Sequence, residues 1–346
     1  MAIPSSTQRV RGAPVVGELA VHVDWGLAYE ALIGLTMFVG SEDEHSYEVG
    51  PAWFKSVHRK ASPALKEAGR RLFGKEGFGL VGLAGVARAS GGRSVAALVD
   101  RLRKDRSDEP KWAILHCTST AQRNAIQAGD RKAIQKFLGR MHNRSEREVA
   151  LRLIETEPQK VASEVADLIE QWNEEVFSEI GPPLEAELKA SAHSVSRLAR
   201  QLPWDRLIIK ATRGVEYRRE PWIDSVVLVP TVLNRPWIDI ADYASTKFFY
   251  YPASADSAVP DLQLVELYKA LGDETRLRIL RLLSNGESSL TEIAEKLGLA
   301  KSTVHGHMRI LRVAGLTRSI VGDEGKGYVL NDRPDLNSLL DSYLKA

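Results

Sequence analysis

The stretch Leu290–Gly315, LTEIAEKLGLAKSTVHGHMRILRVAG, constrains the fold of this chain more than any other. Apolar residues recur at helical spacing in two short runs, Glu292–Leu297 and Ser302–Val313, and Gly298 stands where the first must end. Ile293, Ala294 and Leu297 share one face of the first run. Val304, Met308 and Leu311 share one face of the second, with the stem of Arg312 beside them. Ser289, followed three residues later by Glu292, is a capping-box start. Two short helices at a fixed angle, the second turning Lys301, Thr303, His305 and Arg309 outward, make the helix-turn-helix layout.

A length of 346 residues suggests about two domains. The run Pro252–Pro260, PASADSAVP, is the best linker. The sequence therefore divides into a flexible arm over 1–14, an N-terminal domain over 15–251, a linker over 252–260 and a C-terminal domain over 261–346. A net charge of +2 is too small to announce nucleic acid, so any such signal must be local. The single cysteine, Cys117, excludes an internal disulfide framework and fits a reducing, cytoplasmic setting. The opening MAIPSSTQRVRGAP lacks the apolar core of a signal peptide. Val15–Gly40 is apolar but interrupted by His22, Asp24 and Glu30, which reads as buried protein and not as a membrane span.

The N-terminal domain reads as mostly helical. A strand is expected over Leu19–Val23 and a helix over Leu27–Val39, capped by Asp24. Helical patterns follow over Trp53–His58, Ala64–Phe73, Val95–Arg103, Ala125–Met141, Glu146–Glu155, Val161–Val176 and Leu184–Leu202. Leu207–Ala211, Val215–Tyr217, Ser225–Val229 and Lys247–Tyr251 are β-branched or aromatic runs, which suggest a small antiparallel sheet. Gly77-Phe-Gly79-Leu-Val-Gly82 is a literal GxGxxG, with Asp100 following 18 positions later. A dinucleotide site needs a strand before that motif, and LKEAGRRLF before it is helical, so a loop or close helix packing is expected. His116-Cys117 reads as a buried thiol and not a nucleophile, because catalytic partners meet in space.

After the linker, Leu262–Leu271 and Glu274–Leu283 read as helices separated by Gly272-Asp273. The helix-turn-helix follows, then two short runs, Leu316–Val321 and Gly327–Leu330, flanking a hairpin signal, then an apolar-striped helix over Leu336–Leu344. The fold class is thus mainly α with a small β component: a helical or α+β N-terminal domain followed by a winged helix-turn-helix. Lys269-Ala-Leu-Gly-Asp-Glu-Thr-Arg-Leu-Arg-Ile-Leu280 is similar to the opening motif of the ArsR/SmtB family of bacterial repressors. Leu290–Leu316 resembles the same family's helix-turn-helix, including the closing Leu311-Arg-Val-Ala-Gly-Leu316. The resemblance covers about residues 261–333. It implies a non-enzymatic, cytoplasmic transcription regulator that binds a palindromic operator on double-stranded DNA as a homodimer. The first 255 residues suggest the large sensor-like regions fused to some such domains, with no motif to quote.

Charge supports this independently. Residues 300–327 hold five cationic side chains, Lys301, Arg309, Arg312, Arg318 and Lys326, against Asp323 and Glu324, a net +3. Residues 261–346 as a whole hold twelve of each sign, so the positive charge is gathered where phosphates must be neutralised. Lys301, Ser302, Thr303 and His305, at the start of the second helix, are expected at base edges. Arg309 and Arg312 are expected at phosphates, and Arg318 and Lys326, on the wing, at backbone or minor groove. Ala300 stands where the family often has a capping Ser, so Ser302 caps one turn later or the cap is missing. Gly306 inside the helix costs roughly 1 kcal/mol relative to Ala.

No metal or cofactor is expected. The family's familiar metal sites need Cys on the first helix of the motif or His on the last helix, and this chain has neither. His305 and His307, two apart on a helix, point away from each other. All seven tryptophans, at 25, 53, 112, 172, 204, 222 and 237, precede the linker. Trp204, Tyr217, Trp222, Trp237 and Tyr250 would line an aromatic pocket for a small organic effector, against the plainer reading of core and domain interface. The dimer surface is expected on Leu262–Leu271 and Leu336–Leu344. The alternative is an enzyme or interaction domain fused to a DNA-binding module, and a third reading makes the N-terminal part a purely architectural dimerisation domain.

Overall fold

A computed structural model describes residues 19–40, 44–75, 77–117, 119–141, 143–253, 260–322, 325–331, 340–341 and 343–344. The expected arm over 1–14, most of the linker, Asp323, Glu324 and much of Leu336–Leu344 lie outside the described residues. Strand β1 (Ala20–Val23) leads into α1 (Leu27–Gly40), and the helices α2 (Gly50–Lys60) and α3 (Pro63–Phe73) follow. Short helices α4 (Ala84–Ala89), α5 (Val95–Lys104), α6 (Glu109–Ile114), α7 (Thr120–Gln127) and α8 (Arg131–Leu138) come next, then α9 (Arg144–Glu155) and α10 (Pro158–Trp172). A π-helical turn at Asn173–Phe177 ends α10, before α11 (Ser178–Ile180), α12 (Glu185–Leu198) and α13 (Trp204–Ala211). Strands β2 (Val215–Tyr217), β3 (Ser225–Thr231), β4 (Asp239–Tyr243) and β5 (Thr246–Pro252) complete the N-terminal part.

The sheet is more parallel than the sequence suggests. Its order is β1-β3-β5-β4, with β1–β3 and β3–β5 parallel and only β4–β5 antiparallel. The physical reason is that its central strands are buried on both faces. Val227, Val229, Phe248 and Tyr250 face the large helical core around α1 and α10, including Leu32, Val165 and Trp172. Val226, Leu228, Phe249 and Tyr251 face a second core with Leu207, Ile208 and Tyr217. Continuous apolar strands of this kind belong to sheets covered by helices on each side.

Three local expectations are corrected. Leu207–Ala211 lies in α13, because Trp204, Leu207, Ile208 and Ala211 repeat at helical and not at strand spacing. The run over Ala125–Met141 is split into α7 and α8, where Gly129 precedes Asp130, whose carboxylate caps α8. Val215–Tyr217 is a strand, but it belongs to a different sheet. The GxGxxG is a packing device: it follows α3, and a Cβ at Gly79 would lie 2.1 Å from the carbonyl oxygen of Ile114, one at Gly82 2.2 Å from that of Ala113. Cys117 is a buried free thiol.

The buried carboxylate of Glu30 ties α1 to the end of β3. It accepts backbone N–H groups from Val232 at 2.9 Å and Leu233 at 2.7 Å. Burial pushes its pKa from 4.5 up to about 7, and the two N–H groups and Thr231 offset only part of that. A raised acid holds its proton more tightly when folded. The associated stability is therefore full below the unfolded value near 4.5 and is lost as the pH rises through about 7. Glu30→Gln keeps an oxygen for the two N–H donors and cannot titrate. The wild-type melting temperature should fall between pH 5 and 8 relative to the variant's; parallel curves across that range would refute the assignment.

Candidate nucleic-acid interface

The C-terminal part is built from α14 (Pro260–Leu271), α15 (Glu274–Leu283), α16 (Leu290–Leu297), α17 (Lys301–Val313), β6 (Thr317–Gly322) and β7 (Gly325–Leu330). The Asp273 side chain caps α15 by accepting the Arg276 N–H. Arg276 in turn donates to the carbonyls of Ala270 and Lys269, so one arginine closes the end of α14. Ser289 and Glu292 form the capping box of α16, and Gly298, left-handed at φ 67°, ends it. Ala300 gives α17 no side-chain cap, and Ser302 lies inside the helix. A Cβ at Gly306 would meet open space, so close approach does not explain that glycine. Val304, Met308 and Leu311 pack on Ile279, Leu283, Ile293 and Ala294. That packing fixes which face α17 turns outward, and β6 and β7 pair antiparallel beside it as a wing.

Three expected base readers, Lys301, Ser302 and Thr303, are exposed at the start of α17. The next turns of the helix meet the N-terminal domain. The His305 ring stacks on Trp237 at 5.4 Å between centroids and 3° between planes. The Arg309 guanidinium lies 4.9 Å from the same indole and donates to the Ser46 carbonyl at 3.1 Å. Trp237 is held in turn by its own N–H, which donates to the Ser46 hydroxyl. Arg312 is buried, 9% exposed, and its guanidinium donates to the Pro236 carbonyl at 3.5 Å. Arg318 is half-buried, 3.9 Å from Glu216, and Lys326 is exposed on β7.

The wing itself is completed by the N-terminal domain. Strand β2 runs parallel to β6, with Val215 opposite Ser319 and Tyr217 opposite Val321. The pairing is extended by Ser319 N–H donating to Gly214 and Arg218 N–H donating to Val321. Arg218 also reaches Glu287 at 2.7 Å. Sequence reasoning could not find these partners, since β2, Ser46 and Trp237 lie far from α17 in the chain. The aromatic residues expected to share one pocket are separated. Trp204 and Tyr217 pack edge to face beside the second core, Tyr250 is buried on the opposite face of the sheet, Trp222 is 46% exposed, and Trp237 sits at α17. Strand alternation at Phe249–Tyr250 is what sends Tyr250 away from Tyr217.

His305 is exposed as a residue, yet desolvation of its ring and the positive charges of Arg309, Arg312 and Lys326 hold its pKa below the usual 6.5. The stacked imidazole is therefore neutral at pH 7. A depressed pKa contributes stability present above 6.5 and lost as the pH falls through the lower folded value. Contact between α17 and Trp237 should loosen in mild acid, read as a shift in tryptophan emission that His305→Gln removes. An emission spectrum unchanged down to pH 5 would contradict the stacking.

A family model described as bacterial regulatory protein, arsR family, matches residues 273–319. The uncharacterized HTH-type transcriptional regulator YceK of Bacillus subtilis (strain 168) is 40% identical over 70 residues, which are 20% of this chain and 70% of that protein. The transcriptional repressor SdpR of the same organism is 32% identical over 76 residues, 22% of this chain and 80% of that one. The HTH-type transcriptional regulator KmtR of Mycobacterium tuberculosis is 36% identical over 72 residues, 20% of this chain and 55% of that one. All of these matches cover about a fifth of the chain.

Proposed function

Since this chain belongs, through its C-terminal domain, to the arsR family of bacterial regulatory proteins, we propose that it is a cytoplasmic repressor whose N-terminal domain masks part of its own DNA-reading surface. The observation that carries the reading is Trp237 lying flat on His305 and under Arg309. Those two side chains and Arg312 follow one another along α17, on the face that would enter a major groove. Double-stranded DNA and Trp237 cannot occupy that face together. Binding then requires the domains to part, and anything that changes the closed population changes the apparent affinity. The controlling signal is a non-metal effector or partner acting on the N-terminal domain.

The operator is palindromic and is read by a homodimer, with the two reading helices about 34 Å apart. Val265 and Tyr268 on α14 and Leu277 on α15, each close to half exposed, supply an apolar surface for the second copy. Tyr268→Glu should halve the sedimenting mass at micromolar concentration. A wild-type chain that sediments as a monomer would rule the dimer out.

The masking reading is tested with duplexes selected from a random library by the full chain. Trp237→Ala should bind them about ten-fold more tightly, a free energy of about 1.4 kcal/mol and within the worth of one stacked aromatic and one cation–π contact. Equal or weaker binding by the variant would end the masking idea. Thr303→Ala should weaken binding to selected duplexes more than to random ones. Arg309→Ala should lower the slope of log affinity against log salt by about one on both. Equal behaviour of the two variants would remove the division into base and phosphate contacts.

A further inference from the structure

Between α17, the wing and β4 the closed domains form a half-open cavity of about 130 Å³. Its lining includes the apolar residues Val215, Ile238, Ile240, Met308 and Val321. The same lining includes the cations Arg309, Arg312 and Lys326, together with His305. Among the described residues, no aspartate or glutamate lines it. Asp239 on β4 is close enough to Lys326 to feel its charge, but burial pushes that carboxyl up to about 6 and Asn234 Nδ2 donates to it at 3.1 Å. The guanidiniums of Arg309 and Arg312 are met only by the carbonyls of Ser46 and Pro236 among the described hydrogen bonds. Buried Arg312, half-buried Arg309 and exposed Lys326 repel one another across this cleft, and an anion between them would relieve that.

We propose that this cavity binds a small organic anion with an apolar body, a single-ring monocarboxylate in class. The carboxylate would sit between Arg309, Arg312 and Lys326, where charge-assisted hydrogen bonds are strongest. The ring would lie against Ile238, Ile240 and Met308, bounded by Trp237 and Tyr328. The size sets the class, since 130 Å³ is well below the roughly 300 Å³ at which drug-sized pockets begin. A larger cavity of about 390 Å³ beside Arg218 and Glu287 lacks this character, because Glu287 and Glu292 line it together with its cations.

The cavity exists only while β4 and α17 are together, so the anion binds the closed form and holds it. For its effect on DNA the inference rests on the masking reading; for the binding itself it does not. Benzoate is the probe, titrated calorimetrically into the full chain beside benzamide, its uncharged isostere, and inorganic phosphate, an anion without an apolar body. Benzoate should bind one per chain and at least ten-fold more tightly than either. Lys326→Gln, with unchanged melting temperature, and Arg309→Gln, which also loses the Ser46 and Trp237 contacts, should each weaken it about ten-fold. No benzoate binding, equal binding of benzamide or phosphate, or unchanged binding in both variants would overturn the site. Benzoate that binds as stated and lowers affinity for selected duplexes supports both readings. Benzoate that binds as stated and leaves DNA affinity unchanged upholds the site and overturns masking.

Discussion

The pairing of β2 with β6 decides where everything else in the reading surface can lie. A wing is a two-stranded ribbon, and such a ribbon has open edges whose N–H and C=O groups seek partners. Here β2 takes one of them, and the hydrogen bonds of Arg218 and Ser319 extend the match at either end. Since β2 is anchored by Tyr217, whose hydroxyl donates to buried Glu220 beside Lys247, the wing is tied to the core of the N-terminal domain. Beside the wing, the segment before β4 runs across the outer face of α17, where Pro236 and Trp237 meet Arg312, His305 and Arg309. The stacking of Trp237 on His305 lies beside a strand pairing that involves neither residue.

The same constraint explains the burial of Arg312. An arginine that would meet a phosphate is expected in water. In the closed arrangement it is covered by the chain at Pro236 and lies near Tyr328, with its charge left to the cavity. Burying a guanidinium against one carbonyl at 3.5 Å is poor compensation, so the closed form holds an electrostatic cost beside its apolar gains. That cost is relieved in two ways, by separating the domains or by supplying an anion. On the masking proposal a phosphate backbone would do the first, and a small carboxylate in the cavity would do the second.

What could be read in the sequence was what local chemistry decides. The capping box at Ser289, the stop at Gly298, the stripe of Val304, Met308 and Leu311 and the hairpin of the wing all follow from neighbours within a few residues. So did the rejection of a nucleotide site at Gly77–Gly82, since the pattern before it was already helical. What could not be read was any pairing across long separations. The parallel order β1-β3-β5 joins strands some 200 residues apart at one end, and nothing in the alternation of Ser225–Thr231 names its partner. Trp237 was visible as an aromatic of interest, yet its contact with α17 depends on the register of β2 and on Ser46, neither of which has a local signature.

The magnitudes suit a switch. An offset aromatic pair is worth about 0.5–1.5 kcal/mol and an exposed cation–π contact about 0.5–1 kcal/mol. Three strand positions and the Arg218–Glu287 bridge add a similar amount, less the cost of burying Arg312. The sum is a few kcal/mol, the range in which two arrangements coexist and a modest differential affinity moves the balance. A closed form favoured by about 3 kcal/mol would lower the apparent DNA affinity on the order of a hundred-fold. A lock many times stronger would need a ligand of implausible differential affinity to move it, and one much weaker would not regulate. Had the interface been a large apolar one, like the cores on either face of the sheet, the reading helix would be permanently lost to DNA. The contacts at α17 are instead a ring stack, a guanidinium and two backbone carbonyls around an incompletely filled cavity, which suits the release that the masking proposal requires.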